Sequence, residues 1–121
     1  MKSTFLLSLP LFFILLVASC RPSQEQLRSE LREIDSELLS IQIAMNQHQS
    51  QMNQAEVEGL VGSFAAGYGA TSGDYALAAD GTIATSEAIR KYDVSTFTLQ
   101  QLQARYFELT RERTVLATKL K

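Results

Sequence analysis

The side chains with most chemical range in this sequence are its single cysteine, Cys20, its single histidine, His48, and its carboxylates. Cys20 has no second cysteine to join, so no disulfide staples the chain. His48 has no neighbouring His or Cys to complete the three or four protein ligands a zinc ion requires. It also lacks a nearby nucleophile to activate as a general base, and no pair of carboxylates stands isolated in an apolar stretch. The glycines of Gly59–Gly69 lack the Lys-Ser or Lys-Thr that closes a phosphate loop, and no strand precedes them. The residues thus assemble no enzyme, and neither a metal nor a small-molecule substrate is expected. With 13 acidic against 11 basic side chains and a formal charge of -2, nucleic acid is not a natural partner.

What must position His48 is a long helix. Ser23 and Gln26 have the Ser-x-x-Gln spacing of a capping box. Beyond them Leu27, Leu31, Ile34, Leu38, Ile41, Met45, His48, Met52 and Ala55 follow by alternating steps of four and three. That is the heptad seam of a coiled coil, and it predicts a helix over about 23–58, about 54 Å long at 1.5 Å per residue. His48 falls on the seam, where a polar residue fixes register. A second seam, Leu99, Leu102, Tyr106, Leu109, Arg113, Leu116 and Leu120, predicts a helix over about 84–120. Arg113 is its polar member, with Glu30, Glu33 or Glu37 as expected partners.

Residues 59–83 hold all 6 glycines among Ala, Ser and Thr. Each glycine weakens a helix by about 1 kcal/mol relative to alanine, so an irregular or partly helical connector is expected. Tyr75–Ala79 is read either as one helical turn behind Asp74 or as an arm of a small β-hairpin closed by Asp80-Gly81. A break or kink is expected within Tyr92–Thr98, where β-branched residues precede the Thr98–Gln101 capping spacing. The fold class that follows is all-α: an antiparallel, coiled-coil-like helical hairpin with a Gly/Ala-rich connector. Pairing Leu31 with Leu116, Leu38 with Leu109, Met45 with Leu102 and His48 with Leu99 keeps one register and puts the turn between Gly73 and Asp74. Two helices alone bury little, and Leu39, Ile43, Phe97 and Phe107 form a weaker outer stripe, so self-association into a bundle, or a second envelope protein on that stripe, is expected.

The first twenty residues have a different character. Met1-Lys2 is followed by a mostly apolar run from Leu6 to Val17, then by Ala18, Ser19 and Cys20. A positive start, a short apolar middle and small residues make a secretory signal peptide. Val17-Ala18-Ser19-Cys20 resembles the lipobox of bacterial lipoproteins. The resemblance implies a signal peptide over 1–19, a lipidated Cys20 with a tether over 20–22, and a helical domain over 23–121. It also implies a covalent lipid on Cys20 in place of any cofactor, and a place in the cell envelope. Because Arg21 rather than Asp follows the Cys, outer-membrane lipoproteins facing the periplasm are the nearer parallel.

No Lys or Arg occurs from Glu33 through Ile89, so a hairpin would have an acidic tip and a base that is mixed but rich in cations, with Glu30, Glu108 and Glu112 among them; that base either suits an anionic leaflet or only solvates the helix faces. Phe64, Tyr68 and Tyr75 near the tip, and Phe97 and Phe107 along the second arm, are the candidate partner-binding residues, as aromatics are enriched at interfaces. Two functions fit. One is a structural spacer or adaptor that holds a periplasmic or membrane partner at a set height. The other is an exclusion or inhibitory lipoprotein of phage or plasmid type, which blocks an envelope channel, receptor or secretion component.

Overall fold

Residues 22–121 are described by a computed structural model. Cys20, the signal segment 1–19 and most of the tether lie outside them. Ser23 opens the first helix as anticipated: the Gln26 backbone N–H donates to Ser23 Oγ at 3.2 Å, and the Ser23 N–H donates to Gln26 Oε1 at 2.8 Å. The helix that follows, α1, spans Gln24–Ser72. Gly73 ends it at φ 80°, the left-handed conformation that glycine adopts without a Cβ penalty. Asp74 then caps the second helix, α2 (Tyr75–Lys119), by accepting the Leu77 N–H on Oδ1 at 3.1 Å. The fold is an all-α helical hairpin, reversed by Gly73 and Asp74 alone.

The glycine-rich stretch is therefore not an irregular connector. Residues 59–72 continue α1, and residues 75–83 are the opening turns of α2. The β-hairpin alternative does not form, and Asp80-Gly81 lies inside a helix. The physical reason is tertiary. The buried positions of α1 step by seven: Leu27 and Ile41, then Ala55, Gly62 and Gly69, with Ile34 and His48 half-buried between them. Those of α2 do the same through Gly81, Ala88, Ser95 and Leu109, with Leu102 and Leu116 half-buried. Large residues fill the seam toward the base and very small ones toward the tip. What glycine loses in helix propensity is offset by the closeness of the two backbones.

That closeness fixes the register. A Cβ added at Gly69 would lie 2.5 Å from the Ala78 backbone nitrogen. One added at Gly62 would lie 2.9 Å from that of Thr85, and one at Gly59 3.5 Å from Ala88 Cβ. Gly81 faces Ala66 with equally little room. These four pairs continue the register drawn from the leucine seams. Toward the base, Thr96 Oγ1 lies 3.8 Å from Met52 Sδ, and Lys91, Arg105 and Arg113 reach Glu58, Glu37 and Asp35 across the hairpin.

The expected break at Tyr92–Thr98 is absent, and α2 runs straight through. Thr96 and Thr98 turn their hydroxyls onto the carbonyls of Tyr92 and Val94, each at 2.9 Å, which satisfies them within the helix. Ser63, Thr71, Thr82 and Thr85 bond the carbonyl four residues earlier in the same way. The tip is thus rich in hydroxyls that are already spent on their own helix.

Candidate functional site

Phe64 and Tyr68 sit one helical turn apart on α1, away from the inner seam. Their rings stack with centroids 6.5 Å apart and planes inclined by 10°. They remain 77 % and 59 % exposed, so the stack is presented outward rather than folded onto the hairpin. Tyr75, the first residue of α2, stands beside the turn at 79 % exposure. Val57, Leu60 and Val61 extend this surface down α1 and are also exposed. Phe64, Tyr68 and Tyr75 all lie toward the tip end of the rod, the first two as a stacked pair on α1 and Tyr75 separately at the start of α2.

Phe97 and Phe107 are not gathered with them. Both project from α2, at 62 % and 72 % exposure. They are about 15 Å apart along the axis at 1.5 Å per residue, and about 80° apart around it at 3.6 residues per turn. Phe107 packs edge-on against Tyr106, centroids 6.5 Å apart. They form two separate contacts, not a second patch.

Charge divides the rod in the same sense. Between Leu38 and Gly73 the only charged residues of α1 are Glu56 and Glu58. Glu58 is engaged: Lys91 Nζ donates to its Oε2 at 2.8 Å, and Gln54 donates to its Oε1 at 3.0 Å. The bond to Lys91 holds the Glu58 carboxyl below its usual range, and the same bond holds the Lys91 ammonium above its own. Nearer the base, Arg105 is shared between Glu108 at 2.8 Å and Glu37 at 3.0 Å, and both carboxylates raise its affinity for the proton. Arg113 donates to Asp35 at 2.6 Å, so Asp35, rather than Glu30, Glu33 or Glu37, answers it. All these pairs are open to water, where such bridges contribute little. They match the register more than they stabilise it.

His48 is half-buried, and its Nδ1 is enclosed without a hydrogen-bond partner among the described residues. No group of three or more His, Cys, Asp or Glu side chains capable of holding a metal occurs among the described residues. No described helix is long and apolar enough to cross a membrane.

Leu60 and Val61 were hidden from sequence reasoning because residues 59–83 read as irregular. Their four- and three-residue spacing to Phe64 becomes visible only once the stretch is helical. No family model, no curated protein and no solved structure matches this chain.

Proposed function

We propose that the chain is a lipid-anchored spacer or adaptor of the bacterial envelope, which presents an aromatic tip to a periplasmic or membrane partner. The observation that carries this reading is the tip itself. It is a closed, backbone-tight helical turn, yet it leaves Phe64, Tyr68 and Tyr75 turned to solvent on a surface without Lys or Arg, whose charges are the carboxylates Asp74 and Asp80. Burial of large side chains is the chief source of stability in a helical pair, and three aromatics held outward by a rigid scaffold are suited to contact with another surface.

The anchor supplies the other end. Cys20 lies three residues before the helix cap at Ser23. A lipid on its sulfur would hold the base at a leaflet and raise the tip about 70 Å above it, for 49 residues at about 1.5 Å each. Arg28, Arg32, Arg111, Lys119 and Lys121 near that base add attraction to anionic headgroups, about 1 kcal/mol for each one close to the surface. An outer-membrane site facing the periplasm is the reading that Arg21 favours.

The test is capture from intact cells by cross-linking through a photoreactive residue at position 67, which is exposed and where an added side chain meets nothing within 4 Å, in the full chain and in a Tyr68→Ala/Tyr75→Ala variant. Loss of the cross-linked partner with unchanged helix content supports the tip as the docking surface. Undiminished capture refutes it. If the partner is a channel or secretion component whose activity falls on binding, the protein is a blocker rather than an adaptor. The anchor is read separately: Cys20→Ser should remove the acyl mass and release the chain from membranes, and a variant that keeps both shows the lipobox reading to be wrong.

A further inference from the structure

The outer face of α1 carries a repeat of its own. Leu39, Ile43, Asn46, Ser50, Asn53 and Val57 follow by alternating steps of four and three, and the same steps continue through Leu60 and Phe64 to Thr71. Every one of these positions is exposed. They lie on the side of the helix away from the inner seam, so α1 bears two heptad lines and α2 occupies only one of them. The outer line contains no charged residue between Leu39 and Thr71. A helix back that meets only water normally carries charge, and the line opposite the seam on α2 does, with Arg90, Asp93 and Arg111. The contrast within one hairpin marks the outer face of α1 as covered and that of α2 as solvated. Depletion of charge is the compositional mark of an interface centre.

We propose that this face is covered by a second copy of the chain, with the two α1 helices parallel and in register. A surface with neither acid nor base finds its complement in another such surface, and a two-fold pairing supplies one automatically. The asparagines choose the orientation. Asn46 and Asn53 are seven residues apart and so occupy the same one of the two alternating positions. In a parallel pair each meets its own mate, where two side-chain amides bond to each other, as a buried Asn does when it specifies a coiled-coil register. In an antiparallel pair, positions of one kind meet positions of the other. The asparagines would then face Ile43, Ser50, Val57 or Phe64, of which only Ser50 can bond an amide, so at least one of the two is left without a partner.

The stripe is long enough. From Leu39 to Thr71 it runs about 48 Å at 1.5 Å per residue. A helix-wide strip of that length covers on the order of 1,000 Å² over two copies, the lower bound for a specific interface. The pairing does not rest on the tip reading: it takes Phe64 into the contact between copies and leaves Tyr68 and Tyr75, which are off the outer line, to the tip.

Disulfide trapping tests it in the full chain, with the unsubstituted chain reporting any bridge through Cys20. Asn53→Cys and Ser50→Cys should each give a disulfide-linked dimer under mild oxidation in membranes, at several times the yield of Arg111→Cys on the outer face of α2. Leu39→Cys chains mixed with Phe64→Cys chains should not cross-link to each other. Yields at positions 50 and 53 no higher than at 111 would overturn the dimer, and dominant 39-to-64 linkage would overturn its parallel orientation. Because no partner takes part in the readout, the dimer and the tip reading can each fail without the other.

Discussion

Replacing Gly81 with alanine sets two effects of known sign against each other. As an interior helical residue, alanine is better than glycine by about 1 kcal/mol. At this site, however, the added Cβ would lie 2.6 Å from the Gly62 carbonyl oxygen and 2.9 Å from Ala66 Cα, both backbone atoms of α1. Ordinary contact begins near 3.4 Å, so the helices must part by most of an ångström. A backbone cannot turn aside as a flexible side chain can, and the parting is felt at the neighbouring layers of Gly62 with Thr85 and Gly69 with Ala78. Overpacking of this kind costs about 1–3 kcal/mol, which leaves a net loss of up to roughly 2 kcal/mol once the gain in helix propensity is subtracted. Gly67 is the matched control, since a Cβ there meets nothing within 4 Å. Gly67→Ala should stabilise by up to about 1 kcal/mol. Urea melts followed by far-ultraviolet circular dichroism should move in opposite directions for the two variants, and at about 4–8 °C per kcal/mol the thermal midpoints should separate clearly. If Gly81→Ala stabilises as much as Gly67→Ala, the backbone contact that explains the glycines is wrong.

His48→Leu should raise the urea midpoint, by roughly 1–2 kcal/mol, because it removes an enclosed nitrogen that has no partner; a lower midpoint would show that His48 makes a bond the described residues do not supply. Ser23→Ala should cost about 1 kcal/mol by deleting the capping acceptor, read as fraying in amide exchange of the first turn of α1. The Glu58–Lys91 pair makes a two-sided pH prediction. The lowered carboxyl contributes above its unfolded value of 4.5, and that contribution fades as pH falls through the lower folded value. The raised ammonium contributes below its unfolded value of 10.5, and that contribution fades as pH rises through the higher folded value. The difference in melting temperature between the natural chain and Glu58→Gln should therefore be greatest between those limits and shrink beyond both; a difference that does not vary with pH would show that the pair does not form.

The hairpin was legible because its leucines are. The seams from Leu27 and from Leu99 have the right period, Ser23 and Gln26 announce a helix start, and the leucine register located the reversal at Gly73 and Asp74. The middle of the molecule was not legible, because Gly62, Gly69 and Gly81 continue the seven-residue step without a hydrophobic side chain to mark it. Local propensity and the Asp80-Gly81 turn signal both argued against helix there, and only the opposing backbone reverses the balance. Arg113 was known to need a carboxylate, but choosing Asp35 over its neighbours takes the real offset of two helices. The tip aromatics were identified by type. The stacking of Phe64 with Tyr68, and the separation of Phe97 from Phe107, required the helix to be continuous.

The unbroken step of seven has a consequence for length. Seven residues inserted at matching levels of both arms would keep every inner and outer line in phase, and would carry the crown about 10 Å further out. Any other insertion would rotate one stripe off its mate. The reach of such a protein can therefore change only in discrete notches, like the teeth of a rack.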